Sequence, residues 1–232
     1  MTETFRVYHK TKLGTLCHGD CKDILPGLQK VDLLLTDPPY GIKVEGNRQS
    51  ICKSIGKAKG KDGGYGKIEW DNQPPGSDVF KLMLGSSDNQ IIFGGNYFIE
   101  NLYCSPCWIV WNKRNGDSPF ADCELAWTSF KSATRMFDFR WSGMIQEDMA
   151  NKETRFHVTQ KPVKLFQQIL CKYAKPGQVI LDCFGGSGTT ALACEKLGLE
   201  WIMIEKEEKY CSIIKKRLQA PKQTELFSLF DN

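Results

Sequence analysis

The sequence predicts an α/β fold, a mixed, mostly parallel sheet with helices on both faces. Short apolar runs alternate along the chain with segments of helical periodicity, which is typical of chains that build parallel sheets. A strand pattern, a glycine-rich turn and a helix pattern follow one another around Gly185. With 232 residues, 41% of them hydrophobic, the chain can bury a complete core, so we treat residues 1–232 as one domain.

The predicted elements follow the apolar pattern in chain order. Strands are expected at residues 31–36, 90–93, 108–111, 124–130, 179–182 and 201–204, where short runs are apolar. Helices are expected at residues 96–103, 162–174, 189–197 and 207–218, where apolar residues recur every three or four positions. Pro162 suits a first helical turn, and Gly177 and Gly198 suit the loops that follow helices.

The tetrad Asp37-Pro38-Pro39-Tyr40 follows the first of these strands, at the end of a sheet where ligands bind in α/β proteins. Two successive prolines fix φ and remove amide donors, which leaves the Pro38 carbonyl to accept a hydrogen bond from outside. The Asp37 carboxylate can accept a second hydrogen bond, and Tyr40 offers a ring for stacking. The tetrad therefore suits a flat base with an exocyclic amine. A turn that only ends the strand is the structural alternative.

A glycine loop, Phe184-Gly185-Gly186-Ser187-Gly188, lies between strand 179–182 and helix 189–197. Glycines let a ligand approach the backbone closely, and the helix amino terminus favours an anionic group. The spacing departs from G-x-G-x-x-G and no basic residue follows, which argues against dinucleotides and nucleoside triphosphates.

The next strand, 201–204, ends in Glu205, about 20 residues beyond the loop, where an acid can hold two ribose hydroxyls. A nucleoside with an anionic tail fits this arrangement, and S-adenosylmethionine is the candidate. The alternative for Glu205 is a solvated acid that opens the following helix.

In this order, the motifs make the chain resemble the amino-methyltransferases that act on exocyclic nitrogens of DNA bases, specifically the beta class. The segments that carry the resemblance are Gly19-Asp20-Cys21, the tetrad, Phe93-Gly94-Gly95, residues 108–113 (WIVWNK), residues 157–162 (HVTQKP), the glycine loop and Glu205. The resemblance implies a Rossmann-like S-adenosylmethionine-dependent methyltransferase fold in circularly permuted motif order. Asp as the first tetrad residue resembles the adenine N6 enzymes, whereas Ser there is commoner among cytosine N4 enzymes.

The resemblance also implies roles for site residues. The catalytic group is the tetrad Asp37, Pro38, Pro39 and Tyr40, which would hold an adenine flipped out of the duplex for direct methyl displacement. The implied cofactor-binding residues are Asp20, Cys21, Asp37, Lys161, Asp182, Phe184, Gly185, Gly186, Ser187, Gly188, Thr189, Thr190 and Glu205. Of these, Asp20 would meet the cofactor adenine, Glu205 its ribose, and the loop with Lys161 its methionine end. A turn role for Asp20 after Gly19 stays open, and His157 is only a motif member.

Two segments are candidates for contact with DNA. Residues 41–75 form a glycine-rich segment, and seven basic and three acidic side chains in its part 41–69 give an excess of four, equal to the net charge of the whole chain. Its basic residues are Lys43, Arg48, Lys53, Lys57, Lys59, Lys61 and Lys67, which would neutralise phosphates beside the flipped base. A solvated, mobile loop is the alternative. Residues 137–156, including Arg140, occupy the place of the family's target-recognition insert, but here the insert is short.

The carboxyl-terminal tail, residues 221–232, carries apolar residues after the last predicted helix. Its sequence from Gln223 to Phe230 resembles peptides that dock into replication sliding clamps. Packing of these side chains back onto the domain, or onto the mate in a homodimer, is the alternative.

The ten cysteines are expected to be free thiols in a cytoplasmic protein of a prokaryotic cell or phage-infected host. The pairs Cys104 with Cys107 and Cys17 with Cys21 lack a second pair at zinc spacing, so no metal is expected. No run is long and apolar enough for a membrane span. Two other functions stay open: methylation of cytosine N4 or of RNA, and a non-catalytic DNA-binding subunit of the same fold.

Overall fold

A nine-stranded sheet organises the part of the protein described by the computed structural model, residues 5–42, 73–116, 121–142, 145–157 and 159–220. Its strands are β1 (Arg6–Lys10), β2 (Gly14–His18), β3 (Val31–Thr36), β4 (Ser87–Phe93), β5 (Trp108–Asn112), β6 (Cys123–Thr128), β7 (Arg135–Asp138), β10 (Val179–Asp182) and β11 (Glu200–Glu205), while β8 (Trp141–Ser142) and β9 (Ile145–Gln146) form a separate hairpin. The α-helices are α1 (Cys21–Ile24), α2 (Ser77–Gly85), α3 (Val163–Tyr173), α4 (Thr189–Leu197) and α5 (Glu208–Gln219).

The strand order is β1-β2-β11-β10-β3-β4-β6-β5-β7. Pairing is parallel from β2 through β4 and between β5 and β7, and antiparallel where β1 meets β2 and where β6 meets β4 and β5. β3 and β10 are neighbours although one is early and the other late in the chain, with Ile180 opposite Leu33. Their carboxyl ends therefore lie side by side. The predicted α/β fold is confirmed.

Successive residues of the central strands enter opposite faces of the sheet and two separate cores. Leu33 and Leu35 pack with α3, α4 and α5 residues in one core, while Leu34 packs with Ile24 and Phe80 in the other. Such a strand is mostly apolar on both faces because both of its faces are covered. This explains why the short apolar runs predicted these strands correctly.

The helix predicted at residues 96–103 is wrong. The chain forms two 3-10 turns there, Gly95–Tyr97 and Ile99–Asn101, entered from Gly94 at φ +70°. Phe98 is buried and Leu102 packs partly buried against the same core, whereas Ile99 between them is 66% exposed, so the apolar residues do not form one buried helical face. The strand predicted to reach residue 130 ends at Thr128.

Several elements were not predicted from the sequence. β1 and β2 form a hairpin of mixed polarity, and α1, α2 and β7 also escaped the apolar pattern. The segment predicted as a target-recognition-like insert, residues 137–156, begins within β7 at Phe137 and contains the buried Trp141, whose Nε1 donates to the Gln160 carbonyl. Of the helices that the structure describes, none combines the length and apolar character needed to cross a membrane.

Candidate active site

A cavity of about 680 Å³ opens at the carboxyl ends of β3, β10 and β11. It brings together most of the residues that the motifs singled out, namely Asp20, Cys21, Asp37, Pro38, Pro39, Tyr40, Lys161, Asp182, Phe184, Gly185, Gly186, Ser187, Thr189, Thr190 and Glu205. Gly188 is not among the lining residues. A Cβ on it would come within 3.1 Å of Ile214, so this glycine permits α5 to pack against the loop.

Asp37 is the centre of a hydrogen-bonded group in this cavity. Its Oδ1 accepts from the Tyr40 hydroxyl at 2.6 Å, and its Oδ2 accepts from the Lys161 ammonium at 2.5 Å. Burial raises the pKa of Asp37, and the ammonium of Lys161 opposes that rise. Each carboxylate oxygen has a further lone pair, so Asp37 can still accept a hydrogen bond from a ligand amine.

Lys161 reaches two carboxylates. Its Nζ lies 2.5 Å from Asp37 and 3.1 Å from Glu124 of β6, which also pairs with Lys113 at 2.5 Å. The Lys161 side chain is only 5% exposed. Burial alone would lower its pKa, but the two carboxylates raise the pKa of Lys161 to about 12. The ammonium predicted at the cofactor's methionine end is therefore engaged with the tetrad.

Tyr40 is held between aromatic and glycine neighbours. Its ring stacks on Tyr97, with centroids 5.0 Å apart and planes inclined by 18°. Gly94 adopts φ +70°, and a Cβ there would lie 2.2 Å from Cε1 of Tyr40. The Phe93-Gly94-Gly95 motif thus leaves room for the tetrad's ring.

The glycine loop is fixed to Glu205. The Gly186 amide donates to Glu205 Oε2 at 2.6 Å, and the Glu207 amide donates to Oε1 at 2.7 Å. Burial raises the pKa of Glu205 to about 7. Each oxygen keeps a lone pair, and Glu205 lines the cavity, so it can accept from the hydroxyls of a ribose.

The loop also passes close to β11. A Cβ on Gly185 would lie 2.8 Å from the Met203 side chain, so only glycine fits without displacement. Arg217 of α5 donates to the Ser187 carbonyl at 2.5 Å, and α4 begins at Thr189 directly after the loop. A helix amino terminus favours an anionic group. Together with Glu205, this donor and acceptor set fits a nucleoside that carries a carboxylate.

Asp182 is buried and already bonded within the protein. It accepts from Thr36 at 2.7 Å, from Thr190 at 2.6 Å and from the Phe184 amide at 3.1 Å. Burial raises its pKa to about 6 despite these donors. We expect Asp182 to join β3, the glycine loop and α4 rather than to contact a ligand directly.

Asp20 and Cys21 line the cavity beside the end of β11, where the Gly19 amide donates to the Glu205 carbonyl at 3.1 Å. Asp20 caps α1 by accepting from the Lys22 amide at 3.0 Å, and it pairs with Lys206 at 2.9 Å. The turn role left open for Asp20 is therefore present, and its carboxylate also lines the cavity. Burial raises the pKa of Cys21 to about 12, so its thiol stays protonated.

The predicted DNA-binding residues are mostly outside the described ranges. Lys43, Arg48, Lys53, Lys57, Lys59, Lys61 and Lys67 all lie there, as does the tail from residue 221. Arg140 is exposed, and its backbone amide donates to Glu147. His157 is buried 4.7 Å from the Tyr210 ring, and burial lowers its pKa to about 4, so the ring is neutral.

Sequence reasoning missed Glu124 and Tyr97 as members of this site. Glu124 stands in a strand pattern with nothing to mark it, and Tyr97 was assigned to a helix that does not form. Lys113 lies in the WIVWNK segment, which contributed to the family resemblance without implying a role for this lysine. Across the described ranges, the nine cysteines are free thiols and no cluster of three or more His, Cys, Asp or Glu could hold a metal.

Sequence comparisons connect the chain with DNA methylases. A family model named for N6 and N4 enzymes and described as DNA methylase matches residues 110–216. The chain is 39% identical over 253 residues to the Type II methyltransferase M2.DpnII of Streptococcus pneumoniae, covering 94% of this chain and 93% of the relative. It is 28% identical over 271 residues to the Type II methyltransferase M.HinfI of Haemophilus influenzae, covering 94% and 72% respectively.

Solved structures share the fold. A complex of M1.HpyAVI with S-adenosylmethionine gives a TM-score of 0.59 at 22% identity, covering 89% of this chain and all (100%) of that one. The cytosine-N4-specific PvuII DNA methyltransferase gives 0.61 at 16% identity, covering 94% and 91% respectively. The two structures support the methyltransferase fold of this chain.

Proposed function

The chain belongs to the DNA methylase family of N6 and N4 enzymes, and we propose that it transfers the methyl group of S-adenosylmethionine to N6 of adenine at specific sites in DNA. The observation that carries this proposal is the shared cavity. Pairing of β3 with β10 brings Asp37 and Tyr40 beside the glycine loop and Glu205, so the groups that would bind the target amine and those that would bind the cofactor line one space.

The tetrad would bind the target base. An adenine N6 inside the duplex cannot reach the cavity, so the base must leave the stack at a cost of a few kcal/mol. Asp37 and the Pro38 carbonyl would each accept one N6 hydrogen, which points the nitrogen lone pair along a single direction. Tyr40 would stack on the ring. These residues act by positioning and electrostatics, with no covalent intermediate on the protein.

The cofactor would lie along the glycine loop. S-adenosylmethionine supplies, when bound, an electrophilic methyl group on a sulfonium. Glu205 would accept from its ribose hydroxyls, Asp20 from its adenine amine, and the amino terminus of α4 would meet its carboxylate. Phe184 and Cys21 would exclude water from the cavity between these groups.

Adenine is proposed because Asp37 is the first residue of the tetrad. The test is transfer of labelled methyl from S-adenosylmethionine to unmethylated genomic DNA, followed by digestion to nucleosides. We expect label in N6-methyladenine, and its loss in Asp37→Ala. The matched control is Asp88→Asn, which removes an exposed carboxylate that pairs with Lys30 at the opposite end of the sheet.

Each other result identifies a different acceptor. Label in N4-methylcytosine would overturn the choice of base, and label in RNA alone would overturn the choice of nucleic acid. Binding of S-adenosylmethionine and DNA without any transfer would indicate the non-catalytic subunit. Normal transfer by Asp37→Ala would overturn the assignment of the site.

Further partners are part of the proposal. Double-stranded DNA would contact the basic side chains between Lys43 and Lys67, and also Arg140. The tail from Gln223 to Phe230 would dock a replication sliding clamp, and packing of its apolar residues onto the domain or onto the mate in a homodimer is the alternative. We propose a cytoplasmic location in a prokaryotic cell or a phage-infected host.

A further inference from the structure

Four charged side chains alternate in sign behind the tetrad. Asp37 follows β3, Lys161 precedes α3, Glu124 lies in β6 and Lys113 follows β5. The consecutive ion pairs are 2.5 Å, 3.1 Å and 2.5 Å long. All four side chains are largely shielded from water, with exposed fractions between 5% and 21%. The row is formally neutral.

Resting on the proposed function, we propose that Glu124 and Lys113 are positioning residues that divide the Lys161 ammonium between two carboxylates and so set the charge of Asp37, the carboxylate that accepts the target amine. A buried ammonium with a single counterion would bind that carboxylate more tightly and draw it away from other donors. Sharing Lys161 with Glu124 loosens the hold of the ammonium on Asp37, so Asp37 keeps a cationic partner and can still accept a hydrogen bond from the target amine. Lys113 in turn balances Glu124, so the second carboxylate adds no net charge.

The surroundings of Asp37 define which groups affect its titration. Tyr40 donates to it, Lys161 pairs with it, and Glu124 and Asp182 are the acidic groups that interact with it across the cavity. His157 interacts with Lys161, but its low pKa keeps it neutral in the working range. Lys161 therefore favours the ionised form of Asp37, while Glu124 favours the protonated form.

Removing the charge of Lys161 and removing the charge of Glu124 should therefore have opposite effects on the titration of Asp37. An ionised Asp37 is the better acceptor, so the methyl-transfer rate should fall on the acid side as Asp37 is protonated. Lys161→Met removes the favourable charge. It should therefore move the acid limb of the plot of transfer rate against pH, the part where the rate falls at low pH, to higher pH by about one unit or more. Glu124→Gln removes the unfavourable charge and should move it to lower pH. Lys113→Met should move it upward by less than Lys161→Met does.

The first experiment is single-turnover methyl transfer against pH, with enzyme in excess over unmethylated genomic DNA and S-adenosylmethionine saturating at each pH. Lys161→Arg keeps the charge and should keep the wild-type limb, even where the plateau rate falls. Lys30→Met, which breaks the exposed pair with Asp88, is the matched control and should leave the limb unchanged. The proposal would be overturned if the acid limbs of Lys161→Met and Glu124→Gln shifted in the same direction along the pH axis, or if neither shifted.

A second readout avoids catalysis. The carboxyl ¹³C signal of Asp37, assigned by its absence in Asp37→Asn, is titrated in protein without cofactor or DNA. Its pKa should rise in Lys161→Met and in Lys113→Met and fall in Glu124→Gln. Unchanged values in the folded Lys113→Met protein would overturn the proposal even if Lys161→Met or Glu124→Gln does not fold. An inactive wild type with these expected shifts would instead reject the proposed function alone.

Discussion

Replacing Gly94 with alanine should disturb Tyr40 without changing any atom of the tetrad. Two costs are expected at this position. An alanine at φ +70° costs about 1–2 kcal/mol of backbone strain. Its Cβ would also lie 2.2 Å from the Tyr40 ring, and the movement that relieves such a clash costs about 1–3 kcal/mol. We therefore expect Gly94→Ala to lose about 2–5 kcal/mol of unfolding free energy.

The chain offers matched controls that separate the two costs. Gly198 has the same φ of +70°, with no heavy atom within 4 Å of an added Cβ, so Gly198→Ala measures the strain alone. Gly85 ends α2 with open space and no positive φ, and Gly85→Ala should be close to neutral. Denaturant unfolding gives the three differences in free energy, and the excess of Gly94→Ala over Gly198→Ala is the cost of the Tyr40 contact.

The same variants should separate stability from methyl transfer. If the Tyr40 ring stacks on the target base, Gly94→Ala should slow transfer at saturating cofactor by tenfold or more, since misplacement of about 1 Å costs roughly 10²-fold. Gly198→Ala should transfer at nearly the wild-type rate while folded. A Gly94→Ala protein that matches Gly198→Ala in both stability and rate would refute the role of this close approach.

Two further predictions concern the cofactor loop. Glu205→Gln should weaken S-adenosylmethionine binding by roughly 10–100-fold, because hydrogen bonds to a charged acceptor contribute about 1.5–3 kcal/mol. Burial raises the pKa of Glu205 to about 7, so the affinity of the wild type for the cofactor should fall as the pH drops through that value. Calorimetric titration between about pH 6 and 8.5 covers this range. The affinity of Glu205→Gln should not change with pH in this way. Asp182→Ala should cost about 2–5 kcal/mol of unfolding free energy, because it leaves the Thr36 and Thr190 hydroxyls and the Phe184 amide without their acceptor. Thr190→Val removes only one of these donors and should cost about 1 kcal/mol of unfolding free energy. Equal losses in the two proteins would contradict the view that Asp182 joins three segments.

The sequence could predict the buried strands and the loops that follow them. β3 and β10 carry apolar residues on both faces, Leu33 to Leu35 and Val179 to Leu181, and the polar residues that follow these runs stand out as site candidates. α3, α4 and α5 were predicted to within one residue at each end. The hairpin of β1 and β2 could not be predicted in the same way, because its strands include polar and half-exposed residues and its pairing depends on β11.

The partners of long charged side chains are set by the tertiary fold. The family resemblance implied that Lys161 lies at the methionine end of the cofactor, but a lysine that is 5% exposed needs carboxylates within reach. Those carboxylates come from the ends of two other elements, Asp37 after β3 and Glu124 in β6. Glu124 reaches this position because β6 runs antiparallel between β4 and β5. Glu124, which belongs to no sequence motif, therefore becomes a neighbour of Lys161, which does.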